Sequence, residues 1–233
     1  MKRIFSVDFL RGLAIIPMII FNYSVTLKYF HFIDFPTNFL YWYVFPRIVA
    51  GTFIFVSGIA AFISYRKSSE KFGKRYFLRG LKIAIFASAI TIFTFFIVPN
   101  GTILFGILHF FAFSSFLIPF FIKKKNINLI AGLILVLLGF YLESLSLSFS
   151  SAFWLFPESF YTLDYFPLIP WVGVMMLGIY FANIFVNTTR KFEIKNKIGS
   201  FFTFFGRNSL TIYLIHQPAF ILLLILMGYR LFF

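Results

Sequence analysis

Long apolar stretches separated by short polar segments dominate the chain. Seven of them reach the roughly 20 residues that a helix needs to cross a bilayer: 7–27, 45–65, 78–98, 102–121, 127–147, 166–187 and 209–229. The first stretch is not typical of a cleavable signal peptide, because it is long and contains Asp8 and Arg11. The pattern predicts an all-α, polytopic membrane helix bundle with about seven transmembrane helices, formed by a single domain over residues 1–233.

The composition supports a lipid environment. The chain is 61% hydrophobic and 12% charged, whereas soluble domains are about 45–50% apolar and about 25% charged. The absence of cysteine excludes disulfides, thiolate metal sites and cysteine nucleophiles. With three His and seven acidic residues in the chain, we predict no bound metal.

The basic residues predict the orientation of the bundle. If the N-terminus is cytoplasmic, 17 of the 21 Lys and Arg residues lie on the cytoplasmic side, Arg11 lies within the first apolar stretch, and Lys28, Arg47 and Arg230 lie outside. The rule that cytoplasmic loops carry the excess of Lys and Arg therefore predicts a cytoplasmic N-terminus and an external C-terminus. Because topology accounts for most of the net charge of +14, we predict no nucleic-acid partner.

Three connecting or packing features give further expectations. The aromatic and acidic segment 148–165 is expected to lie across the outer mouth of the bundle, and segment 192–208 to form an amphipathic helix at the membrane surface. Gly51 and Gly58 give one helix a small-residue face, which permits a homodimer.

Ionisable residues inside apolar stretches are candidates for function. In the first stretch, Asp8 lies within pairing reach of Arg11, three residues later. Arg11 and Asn22 are eleven residues apart, about three helical turns, and so share a face. This polar stripe leads from the cytoplasmic end towards the outer third of the helix. Asp8 and Arg11 could alternatively act only as an anchor at the membrane surface.

Each of the three histidines is a candidate with a structural alternative. His31 follows the first stretch and could be an ordinary surface histidine. His109 lies in the fourth stretch and could simply be buried and bonded to a backbone carbonyl. His216 lies in the seventh stretch on one face with Ser209 and Tyr213, where it could serve only helix packing. These residues alone do not distinguish an enzyme from a transporter or a channel.

Five motifs, in order along the chain, resemble the heparan-α-glucosaminide N-acetyltransferase catalytic-domain family of transmembrane acyltransferases. They are SVDFLRGLAIIPMIIFNY, FIFVSGIAAFISYR, FGILHFFAFSS, PLIPWVGVMMLGIYFAN and FGRNSLTIYLIHQP. The resemblance covers about residues 3–220. It implies transfer of an acetyl group from cytosolic acetyl-CoA, as co-substrate, to an amine or hydroxyl of a sugar-like acceptor at the extracytoplasmic side.

The resemblance also implies site residues. Asn22 matches the family's Asn near the end of the first helix, and His31 lies near its His, with a spacing about two residues shorter. His109 is the alternative catalytic histidine. We expect the histidine to act as general base and Asn22 to stabilise the developing oxyanion, with an acetyl-histidine intermediate as the alternative route. The residues expected to bind acetyl-CoA are Asp8, Arg11, Arg75, Arg79, Lys82 and His216.

Two other functions stay open at this point. The polar stripe could line the path of a transporter or flippase for a small polar or glycan-linked substrate, or the chain could be an inactive relative that stabilises a partner. No internal symmetry is visible, although inverted repeats are common in transporters. The many Phe, Ile, Lys and Asn residues suggest an AT-rich microbial genome, so we expect a multi-pass protein of a prokaryotic plasma membrane.

Overall fold

The structure, a computed structural model, describes residues 5–98, 101–144, 162–189 and 196–228. Within these ranges the fold is all-α, as predicted, with eight α-helices and one five-residue π-helical segment. The helices are α1 (Phe5–Tyr29), α2 (Phe45–Lys67), α3 (Phe72–Ile97), α4 (Ile107–Phe121), α5 (Lys125–Ser144), α6 (Leu168–Thr189), α7 (Lys197–Arg207) and α8 (Ser209–Leu226). The π-helical segment, Leu40–Val44, leads directly into α2.

Five helices are long and apolar enough to cross a membrane: Phe5–Tyr29, Leu40–Lys67, Phe72–Ile97, Lys125–Ser144 and Ser209–Leu226. The predicted span 102–121 coincides with a shorter apolar helix, Ile107–Phe121. The predicted span 166–187 coincides with α6, Leu168–Thr189. The chain is therefore a multi-pass membrane protein. The count of seven spans and the orientation of the termini stay predictions.

The chain divides into two compact units, of which the first comprises residues 1–56 and 183–232. Its helices α1 and α7 pack with their backbones in contact. A Cβ atom at Gly12 would collide with the carbonyl oxygen of Phe202, and one at Gly206 would collide with that of Asp8. Gly199 and Thr203 lie on the same buried face of α7. Small residues at these positions are what allow the two helices to approach so closely.

The second unit comprises residues 57–182 and is also assembled through glycines. Gly80 of α3 faces α4 at Ala112 and Phe116, and Gly132 of α5 faces α6 at Gly173 and Leu177. A single parallel bridge joins Phe105, just before α4, to Tyr165, just before α6. Within this unit, the non-helical segment before α4 therefore pairs with the non-helical segment before α6.

Gly58 packs inside this unit rather than at a free surface. A Cβ atom on Gly58 would meet the carbonyl oxygen of Met175 in α6, and Gly58 itself is buried. The expectation that the Gly51 and Gly58 face is open for a second copy was therefore wrong at Gly58, because α6 of the same chain covers it. The homodimer itself stays a prediction.

The predicted amphipathic segment is confirmed as a helix over Lys197–Arg207. Its small residues face α1, whereas Ile198, Phe201 and Phe204 are exposed, as expected for a helix that contacts lipid. Residues 192–195, which the prediction included, lie outside the described part of the chain. Most of segment 148–165 lies outside it as well.

Candidate functional site

The first unit contains a side-chain pair between α1 and α8. The amide nitrogen Nδ2 of Asn22 lies 3.2 Å from Nε2 of His216. Nδ1 of His216 lies 2.7 Å from the carbonyl oxygen of Tyr213 and 3.1 Å from that of Ile212. A carbonyl oxygen only accepts hydrogen bonds, so Nδ1 carries the proton and Nε2 accepts from the Asn22 amide. His216 is buried, and this geometry fixes its tautomer.

Further polar contacts surround the Asn22–His216 pair. The hydroxyl of Tyr23 donates to the carbonyl oxygen of His216 at 3.2 Å, and the Tyr23 ring stacks on Phe220 with centroids 3.9 Å apart. The side-chain amide of Gln217 donates to the hydroxyl of Thr26. In the described part of the chain, the buried amide oxygen of Gln217 has no partner. The α1–α8 contact is therefore largely polar, and these contacts join the two helices next to the pair.

This arrangement can perform two chemical tasks. The imidazole offers an unprotonated Nε2, which can accept a proton from a nucleophile. The Asn22 amide has two N–H donors, and only one is used on His216. Its second N–H can donate to a carbonyl oxygen that is gaining negative charge.

His31 does not take part in this pair. It lies in the turn after α1, is exposed, and has a positive φ of 55°. No described contact joins His31 to Asn22, which lies nine residues earlier on α1. Its catalytic role stays a prediction.

His109 lies in the second unit and fixes the start of α4. Its Nδ1 accepts from the backbone N–H of Gly106 at 3.2 Å, so Nε2 carries the proton and donates to the hydroxyl of Thr91 at 3.1 Å. Thr91 in turn donates to the carbonyl oxygen of Ile103 at 2.7 Å. Both ring nitrogens therefore have structural partners.

A carboxylate completes this helix start. Oδ2 of Asp164 accepts from the backbone N–H of Ile107 at 3.0 Å. A Cβ atom on Gly106 would collide with that carboxylate, so the approach requires glycine. Next to it, burial raises the pKa of Tyr165 to about 12, and the phenol is neutral at physiological pH. Sequence reasoning missed Thr91 and Asp164, which no local motif connects to His109.

The charged residues of α1 form an ion-pair cluster in the first unit. Oδ1 of Asp8 lies 3.8 Å from Arg11, which confirms the predicted pairing. Oδ2 of Asp8 lies 3.6 Å from Nε of Arg207, a partner that the sequence did not indicate. Asp8 is 6% exposed, and this buried carboxylate therefore lies between two cations.

The other predicted cofactor-binding cations lie on α3, in the second unit. The guanidinium of Arg75 donates to the carbonyl oxygen of Ser64 at 2.7 Å and contacts its hydroxyl at 3.0 Å. Arg79 lies over the ring of Tyr76, and Lys82 is exposed. Arg75 thus tethers the end of α2 to α3. Among the described residues, no group of three His, Cys, Asp or Glu side chains could hold a metal ion.

These features define a multi-pass helical membrane protein in which a buried histidine pairs with a side-chain amide between two of its helices. Residues 3–218 match the family described as heparan-alpha-glucosaminide N-acetyltransferase, catalytic. The match covers most of the 233 residues, and the chain belongs to this family of membrane acetyltransferases. No curated protein and no solved structure matches the chain.

Proposed function

We propose that the protein transfers an acetyl group from cytosolic acetyl-CoA to an amine or hydroxyl of a sugar-like acceptor at the extracytoplasmic side. The observation that carries this proposal is the contact of 3.2 Å between Asn22 and the unprotonated Nε2 of His216. The family supplies the reaction class. The pair supplies a base and a hydrogen-bond donor at one place.

His216 is the general base of this proposal. As the acceptor nitrogen or oxygen attacks the thioester carbon, its proton passes to Nε2, which the acceptor frees by displacing the Asn22 N–H. The carbonyl contacts of Ile212 and Tyr213 at Nδ1 then stabilise the imidazolium. When the C–S bond breaks, Nε2 returns the proton to the thiolate sulfur, and CoA leaves as the thiol.

Asn22 stabilises the tetrahedral intermediate. Its amide N–H donates to the carbonyl oxygen as that oxygen becomes an oxyanion. Thr26, one turn further along α1, donates to the backbone carbonyl of Asn22 at 3.0 Å and supports the helix there. A donor held in advance costs little reorganisation during the reaction.

Arg11 is the contact that we propose for the phosphates of the donor. It lies on the same helix as Asn22, eleven residues earlier, which is about 16 Å along the axis. The extended pantetheine arm of acetyl-CoA separates its phosphates from its thioester by a similar distance. Asp8 holds Arg11 and Arg207 at this end. Arg75, Arg79 and Lys82 belong to the other unit, and their role in donor binding stays a prediction.

Two histidines remain to be placed. His31, implied by the family motif, is the alternative base. For His109 we propose the structural role of capping α4, because both of its ring nitrogens are engaged.

The test is release of the CoA thiol from acetyl-CoA by the purified protein, with glucosamine as the first acceptor. The chain has no cysteine, so it contributes no thiol background. We expect His216→Ala and Asn22→Ala each to lower kcat by about 100-fold or more. Arg11→Gln should instead raise KM for acetyl-CoA more than it lowers kcat.

The matched control is Thr52→Ala, which removes an exposed hydroxyl that donates to the carbonyl oxygen of Ile48 in its own helix. It should leave turnover unchanged. If His31→Ala abolishes turnover while His216→Ala retains it, His31 is the base and this assignment is wrong. A folded protein that releases no CoA thiol from acetyl-CoA with any amine or hydroxyl acceptor would favour the transport function instead.

A further inference from the structure

One end of the second unit carries cations that lie on a connected row of aromatic rings. The ring centroids of Tyr65 and Phe72 are 5.5 Å apart, and those of Phe72 and Tyr76 are 4.3 Å apart. A cation lies on each ring: Lys123 at 5.8 Å from Tyr65, Arg75 at 5.7 Å from Phe72, and Arg79 at 5.1 Å from Tyr76. We call these three rings and three cations the basic ladder.

Among the described residues, no carboxylate neutralises the positive charge of the basic ladder. Segments 66–82 and 123–125 contain ten Lys and Arg residues, and Glu70 is their only acidic residue. In the described ranges, no carboxylate lies within ion-pair distance of Arg75, Arg79 or Lys123. A cluster of this kind attracts an external anion.

The cations are held in place before any ligand arrives. Each is attracted to the face of its ring, and the guanidinium of Arg75 is also bonded to Ser64. Nε of Arg75 is buried and has no acceptor among the described atoms. A side chain fixed in this way loses less conformational entropy on binding. Phosphate oxygens fit such donors well.

An exposed apolar stripe of α3 runs beside the cations. Arg75, Arg79 and Lys82 follow one another at i, i+4 and i+7, which places them along one side of the helix. On the neighbouring side, Leu78, Leu81 and Ile85 are 53%, 48% and 64% exposed. A ligand that meets both stripes needs an acidic head and an apolar tail.

We propose that the basic ladder binds the headgroup phosphate of an anionic phospholipid, whose acyl chains lie along the exposed stripe of α3. A soluble phosphorylated compound would use the cations but leave the apolar stripe uncovered. Basic pockets at the ends of membrane helices are known sites for acidic headgroups. With the predicted orientation, the lipid belongs to the cytoplasmic leaflet.

The experiment uses the full chain in detergent, with phosphatidylglycerol and phosphatidylcholine of identical acyl chains as probes. Native mass spectrometry measures how many lipids stay bound and how tightly. We expect phosphatidylglycerol to bind the wild type at least about tenfold more tightly than phosphatidylcholine. Arg79→Gln and Lys123→Gln should each weaken phosphatidylglycerol binding about fivefold and leave phosphatidylcholine binding unchanged. We leave Arg75 intact because it tethers α2 to α3.

The matched control is Lys28→Gln. Lys28 also lies over an aromatic ring, 4.2 Å from the centroid of Trp42, but in the other unit. Its loss should not change phosphatidylglycerol binding. Equal binding of the two lipids, or equal effects of Lys28→Gln and Lys123→Gln, would overturn the proposal. It would also fail if acetyl-CoA, but not phosphatidylglycerol, bound in a manner that depends on Arg79 and Lys123.

Discussion

Gly12 and Gly206 show how strongly a single residue controls the α1–α7 contact. A Cβ atom at either position collides with a backbone carbonyl oxygen of the partner helix, which no side-chain rotation can relieve. We expect Gly12→Ala and Gly206→Ala each to destabilise the protein by about 2 kcal/mol. In thermal unfolding in detergent, this lowers Tm by roughly 6 °C.

Gly73→Ala is the control for both variants. Gly73 lies in the first turn of α3, and a Cβ atom there would meet nothing within 4 Å. Because alanine favours the helix more than glycine does, Tm should stay the same or rise slightly. A fall in Tm as large as that of the other two variants would mean that the loss of glycine is destabilising even without a close contact, and the collision would then not explain their effect.

At the scale of single residues, the sequence identified Asn22 and His216 as candidate site residues but did not show that they act together. Asn22 and His216 both stood out because polar side chains inside apolar stretches are costly. The sequence assigned them to different tasks, one catalytic and one in cofactor binding. The contact joins two residues that are 194 positions apart in the chain. Helical periodicity relates only residues within one helix and therefore could not indicate it.

At the scale of elements, the start of α4 depends on side chains from elsewhere. Asp164 accepts the backbone N–H of Ile107, and His109 accepts that of Gly106. An uncapped N–H in an apolar environment is costly. We expect Asp164→Ala to lower stability by about 1 kcal/mol, measured by thermal unfolding in detergent.

Asp164→Asn provides the matched comparison, since its amide oxygen can still accept the same hydrogen bond without the charge. It should lose less stability than Asp164→Ala. If the two variants are equal, the cap is not what Asp164 contributes. Burial near Tyr165 would then be the better explanation.

The helices themselves were largely predictable. Apolar stretches of the right length identified α1, α2, α3, α5 and α8 within a few residues. The segment around α4 forms a shorter helix than expected, Ile107–Phe121, whereas α6 (Leu168–Thr189) matches the predicted 166–187. The non-helical residues before α4 and those before α6 contact each other at the Phe105–Tyr165 bridge. Hydropathy does not detect such a contact.

At the scale of the whole molecule, the testable quantity is topology. The chain has no cysteine, so single cysteines can be labelled in intact cells with a membrane-impermeant maleimide. We expect Thr37→Cys to react, because it lies on the predicted external side. Ser69→Cys and Lys124→Cys should react only after the cells are lysed.

The reverse labelling pattern would place the basic loops outside and would contradict the proposed cytosolic donor. Labelling of Ser69→Cys and Lys124→Cys on opposite sides would show that the helices between them do not cross the membrane as predicted. Thr37, Ser69 and Lys124 lie between described helices. Their substitution should therefore not disturb helix packing.

The sequence by itself determined that this is a helical membrane protein, and it identified the family. Transfer of an apolar segment into lipid is a property of that segment alone, and backbone hydrogen bonding within lipid then requires a helix. Only the tertiary structure decided that Asn22 meets His216, that Arg207 joins Asp8 and that Asp164 caps α4. Each of these contacts depends on how parts of the chain that are distant in sequence pack together. At Asp8 and Asp164 this packing includes close approaches at Gly206 and Gly106, which no local sequence pattern indicates.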